Sequence, residues 1–92
     1  MTESAIRIDL WLWHARFFKS RTLAVKAIKG SRFRINRRIV SKPSQVVRPG
    51  DVLTFPRSQN VRVIEVTAIA ERRGSASEAQ MLYRDLETAD EK

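Results

Sequence analysis

Residues 20–40 read SRTLAVKAIKGSRFRINRRIV, and within this stretch the hydrophobic period changes from helical to extended. Leu23, Ala24, Ala27 and Ile28 recur at the spacing of one helix face, while Lys26 and Lys29 point elsewhere. Ser20 offers a hydroxyl N-cap to this helix and Gly30 a natural C′ terminator. From there Phe33 and Ile35 alternate with Arg32 and Arg34, which packs one face of a strand and leaves the other cationic. Asn36-Arg37 supplies a two-residue turn and Arg38-Ile39-Val40 the return strand. A type I′ turn needs positive φ at both positions, which Asn tolerates and which strains Arg37 by about 1 kcal/mol. A longer, looser loop is the alternative.

Upstream, RIDLWLWHARFF (7–18) carries Ile8, Trp11, Leu12, Ala15 and Phe18 on one helical face. A second ridge of Leu10, Trp13 and Phe17 lies on the far side. A helix apolar on two faces is either sandwiched or offers one face to a partner. Downstream, RPGD (48–51) has the Pro-Gly order of a type II turn, and DVLTF (51–55) and VRVIEVTAIAE (61–71) read as strands. The apolar phase slips between Val63 and Ile64, which predicts a bulge. Ser75-Ala-Ser-Glu78 is a capping-box pattern, so a C-terminal helix is expected over 75–88, covering the second ridge. Residues 89–92 are expected to fray.

Ninety-two residues with 42% hydrophobic content fit one small domain, 1–92. There is no cysteine, hence no disulfide and no thiolate metal site, and the single His14 has no second imidazole. The N-terminal MTESAIRID lacks the apolar run of a signal peptide, and no stretch approaches the roughly 20 residues of a membrane span. A cytoplasmic chain without membrane partner, small-molecule substrate, metal or cofactor is the expectation, acting as a monomer.

The net charge is +8 and unevenly placed. Between Asp9 and Asp51 stand eleven Lys or Arg and no acid, whereas residues 61–92 hold five basic and seven acidic residues. A dense field of one sign attracts polyanions, nucleic acid above all. Catalysis is not expected, because Asp9 and Asp51 stand alone and His14 reads as a surface or stacking residue. Asp9 is explained instead by its place near a helix N-terminus. The predicted contact set is Arg7, Arg16, Lys19, Ser20, Arg21, Lys26, Lys29, Arg32, Arg34, Arg37, Arg38 and Lys42. Guanidinium groups fit phosphate as planar forks and ammonium groups as mobile point charges. If the hairpin packs beside the second helix, these groups line one surface. A short helix pair with a hairpin lacks the long recognition helix of major-groove readers, which favours irregular RNA over DNA.

Together these features resemble the S4 RNA-binding domain. The resemblance rests on Arg7-Ile8-Asp9, Ser20-Arg21-Thr22-Leu23-Ala24, Gly30, Ile35-Asn36, Lys42-Pro43-Ser44 and Pro49-Gly50-Asp51 in order. WLWHARFFKSR and RRGSASEAQMLYRDL (72–86) extend it to the ribosome-associated heat-shock protein family (heat-shock protein fifteen). It implies an α+β, S4-like (αL) fold: two short N-terminal helices packed on a small antiparallel sheet over a 7–54 core, plus the 61–71 strand and a C-terminal helix. It implies further a non-catalytic binder of ribosomal RNA on the free large ribosomal subunit, in stress-related rescue of stalled subunits. Arg7 and Arg16 enter the contact set mainly through it. The family's usual Gly after the hairpin Asn is here Arg37, and the chain ends in acidic ETADEK where some relatives continue into a basic extension. Transfer RNA or another structured RNA, a DNA-binding module, and a protein–protein adaptor using Leu10, Trp13 and Phe17 are the competing readings.

Overall fold

The computed structural model describes residues 5–30, 32–57 and 60–86. Strand β1 (Ile6–Arg7) runs directly into helix α1 (Ile8–His14), which is followed by helix α2 (Arg21–Gly30). Strands β2 (Phe33–Ile35), β3 (Arg38–Val40), β4 (Val46–Val47), β5 (Val52–Arg57) and β6 (Asn60–Val66) come next, then the short helix α3 (Ala76–Gln80) and strand β7 (Tyr83–Asp85). The order β3-β2-β5-β6-β7 makes one antiparallel sheet, and β1 pairs separately with β4. This is the expected α+β arrangement, with α1 and α2 packed on one face of the sheet.

The change of period at residues 30–33 is where helix gives way to sheet. Ser20 caps α2, its Oγ accepting from Leu23 N–H at 3.1 Å. Ala24 and Ile28 are buried, but Leu23 is 44% exposed, so the apolar face of α2 is narrower than its sequence implies. Gly30 ends α2 without the left-handed φ of a C′ glycine. The hairpin turns tightly: Ile35 faces Arg38, and Asn36 and Arg37 have φ of 50° and 80°. The strained Arg37 is therefore real, and no looser loop is adopted. Gly50, at φ 99°, holds the third position of the RPGD turn, closed by Asp51 N–H to Arg48 O at 3.0 Å.

Helix α1 stops well short of Phe18. Phe17 N–H donates to Leu12 O and Arg16 N–H to Trp13 O, both at 3.0 Å, while Arg16 takes φ 65°. This is a Schellman ending with arginine where glycine is usual. The left-handed residue throws Phe17 out of the helical register and into the core. There it meets Phe55 edge-on at 5.5 Å and Tyr83 at 4.7 Å. The second ridge is thus not a helix face: Phe17 is buried beneath β5 and β7, and Trp13 is covered by Arg73, whose Nε donates to Trp13 O at 3.0 Å.

The C-terminal segment departs most from its expected form. Ser75 and Glu78 do form a capping box, yet α3 ends at Gln80 and β7 follows, beside β6. Leu82 and Tyr83 therefore cover Phe17 from a turn and a strand rather than from a helix over 75–88. The ladder between β5 and β6 is unbroken, with Thr54 opposite Val63 and Leu53 opposite Ile64, so there is no bulge. The phase slip has another cause: Ile64 and Val66 face the core, while Val61 and Val63 face outward. Strand β6 also stops at Val66, and residues 67–71 run on without strand pairing. The expected frayed tail, 89–92, lies outside the described residues.

Candidate nucleic-acid interface

Asp9 is the organising residue, and its sequence position alone hides this. Its side chain is completely buried, yet it faces two cations. Arg7 grips it with two parallel bonds, Nε to Oδ1 at 3.1 Å and an Nη to Oδ2 at 3.0 Å. Arg21 Nε reaches the same Oδ2 at 3.4 Å, and Leu10 N–H donates to Oδ1 at 2.8 Å. The dipole role near the start of α1 is therefore only a part of what Asp9 does. It fixes Arg7, from the end of β1, against Arg21, from the first turn of α2. Both arginine side chains remain 45% exposed, which leaves room for an anion beside them. Two backbone bonds bring the Lys42 loop to the same place: Asp9 N–H to Pro43 O at 3.3 Å and Ile8 N–H to Gln45 O at 2.7 Å.

Asp51 is equally committed. Its Oδ1 accepts from Asn36 Nδ2 and its Oδ2 from Arg48 N–H, both at 2.9 Å. Asn36 Oδ1 in turn accepts from Val52 N–H at 2.9 Å. The hairpin tip and the RPGD turn are one hydrogen-bonded unit. Arg37 and Arg38 project from this fixed base rather than from a loose loop.

The predicted contact residues divide into groups. Arg7 and Arg21 meet at Asp9, the backbone after the exposed Lys42 is bonded beside them, Lys19 and Ser20 stand immediately before α2, and Lys26 and Lys29 are exposed along it. Arg32 and Arg34 emerge on the opposite, open face of the sheet, where they line a groove together with Arg37. Strand alternation turns Arg38 away from Arg34, since it pairs with the inward-facing Ile35. Arg16 is exposed but bonded through Nε to Gly74 O at 2.9 Å. Strand alternation thus gives Arg32 and Arg34 a face apart from the helix side, which Arg38 does not share.

His14 is not a surface residue. It is buried against residues 70–74, and its Nδ1–H donates to Ala70 O at 3.1 Å. Burial holds its pKa below the ordinary value; the Ala70 bond opposes this, and the charges of Arg21 and Arg73 add to the lowering. Trp11 is anchored in the same way, its indole N–H donating to Ala68 O at 3.0 Å. Among the described residues no group of three or more His, Asp or Glu could hold a metal ion, and no helix is long and apolar enough to cross a membrane.

Comparison with known proteins agrees with this architecture. Residues 6–53 match the S4 domain. Heat shock protein 15 of Escherichia coli is 41% identical over 87 residues, covering 95% of this chain and 65% of that protein. The Haemophilus influenzae homolog is 34% identical over 89 residues, covering 97% and 67%. The chain thus spans about two thirds of the length of these relatives. The solved trimeric structure of Vibrio cholerae heat shock protein 15 superposes with a TM-score of 0.82 at 36% identity, over 89% of this chain and 82% of that one. The chain belongs to the S4 domain family and, within it, groups with heat shock protein 15.

Proposed function

We propose that this protein is a non-catalytic binder of structured RNA and that its target is ribosomal RNA of the free large subunit, in stress-related rescue of stalled subunits. One observation carries the RNA reading. The two acids that bracket the basic stretch are both consumed by the scaffold, Asp9 on Arg7 and Arg21, Asp51 on Asn36 and the turn. Lys19, Lys26, Lys29, Arg32, Arg34, Arg37, Arg38 and Lys42, which lie between them, are exposed and bonded to neither acid, and a polyanion is their natural complement. Membership of the S4 family and likeness to heat shock protein 15 support the same assignment, and with it a cytoplasmic location.

Arg7 would meet phosphate as a fork already oriented by its two bonds to Asp9, with Arg21 held beside it by one. Lys19, Lys26, Lys29 and Lys42 would add point charges, and Ser20 a neutral contact at the start of α2. Such contacts position a backbone without reading bases. The adaptor reading loses ground because Phe17 is buried and the face it would share with Leu10 and Trp13 does not exist.

Crosslinking in cell lysate followed by sequencing of the bound nucleic acid tests the assignment. Enrichment of large-subunit ribosomal RNA is the expected result. Enrichment of transfer RNA would retain RNA binding and move the target, and recovery of DNA would overturn both.

A further inference from the structure

The open face of the sheet is separate from the Asp9 cluster and differently built. Across it, Ile39, Arg34, Thr54 and Val63 stand side by side on β3, β2, β5 and β6. Next to this row is a groove of about 360 Å³, lined by Arg32, Arg34 and Arg37 around Thr54, Pro56 and Val61. Three features decide what fits it. Its lining holds three guanidinium groups and no carboxylate, so the occupant is anionic. Its floor is apolar: Val61 is 60% exposed and Ile39, on the same face, 66%, so the occupant is also flat and weakly hydrated. Its volume lies at the low end of the roughly 300–1,000 Å³ of small-ligand clefts, too small for the flank of a duplex.

A phosphate with its attached base satisfies all three. A base laid on Val61 and Pro56 would stack against a guanidinium plane, and its phosphate would meet a second arginine. A paired base cannot do this, because its faces are covered within the helix. Sheets that bind single-stranded RNA generally offer aromatic rings for stacking, whereas here Phe55, which also borders the groove, keeps its ring in the core and the planar groups on the face are arginines. Thr54 adds a hydroxyl that can both donate and accept at a base edge.

We propose that this groove holds an unpaired nucleotide of the bound RNA. The proposal rests on the RNA-binding reading above and adds a division of labour: the Asp9 side of the molecule grips backbone, and the sheet face takes a base released from pairing.

The test measures binding of the full chain to a short oligouridylate and to a blunt RNA duplex by fluorescence anisotropy, at one salt concentration. Val61→Glu puts a carboxylate on the floor of the groove at an exposed position; Thr54→Glu serves if that variant does not melt cooperatively. The expected result is a loss of about tenfold or more for the oligouridylate, the weight of roughly one stacked base, with duplex affinity unchanged. Equal losses for both ligands would make the face a general phosphate surface and overturn the groove while leaving RNA binding intact. No loss for either would overturn it also. Displacement of the oligouridylate by polyglutamate at equal charge would overturn it in favour of an acidic protein partner. Failure of the unaltered chain to bind either RNA would instead remove the reading on which the proposal rests.

Discussion

Asp9 shows how one buried side chain can set the direction of two cations. Asp9→Asn removes the charge and turns one of the two acceptor oxygens into a donor, while the arginines stay partly in water. A stability loss of about 1–3 kcal/mol is expected, together with weaker RNA binding than any single lysine replacement produces. Urea denaturation and anisotropy on the same samples check both. At Arg37 the sign reverses. With φ at 80° the residue pays for its conformation, so Arg37→Gly should gain about 1 kcal/mol and raise the melting temperature by several degrees while weakening RNA binding. His14 gives the pH dependence. Burial lowers its folded pKa, so the unfolded chain takes up the proton first as pH falls. Stability is full above the unfolded value of about 6.5 and is lost as pH drops through the lowered folded value. Urea midpoints should fall over that window, and His14→Gln should flatten the fall. These residues were unequally legible. The turn at Asn36-Arg37 was readable because positive φ selects its residues. The burial of Asp9 and His14 was not, because their partners, Arg21 and Ala70, are supplied by other parts of the chain.

At the scale of elements, the hairpin separates fold from charge most cleanly. Phe33 and Ile35 point into the core, and Arg32 and Arg34 point out of it. Reversing both charges, Arg32→Glu with Arg34→Glu, should abolish binding of the oligouridylate, weaken binding of ribosomal RNA and shift stability by no more than about 0.5 kcal/mol, as read by anisotropy and thermal melts. Undiminished binding of both would remove the sheet face from the interface. Period identified α2 and β2, where apolar residues keep one phase, while β3 followed from the turn at Asn36-Arg37 and β5 came after the RPGD turn. It failed where two faces or two states share a pattern. Val61 and Val63 are apolar on the open face, which mimics a bulge, and Leu82, Tyr83 and Leu86 have spacing that serves a helix as readily as a turn and strand. It failed as well at Arg16, where a left-handed residue with no glycine to announce it ends α1.

The whole molecule is held by contacts that run across the limit of the S4 match. That match ends at residue 53, inside β5. Two residues later Phe55 lies parallel to Phe33 at 4.8 Å, and it also closes over Phe17. Ile64, Val66 and Leu82 complete the same core from still farther along the chain. The matched module and the cooperative folding unit are therefore of different sizes here. A fragment cut after Thr54 would keep every residue that the S4 match covers, yet expose the rings of Phe17 and Phe33. It should unfold without a sharp transition and aggregate, whereas the chain through Leu86 should melt in one step; calorimetry of the two distinguishes them. The chain beyond residue 53 is the lid of the part before it, and that part cannot be lifted out without it.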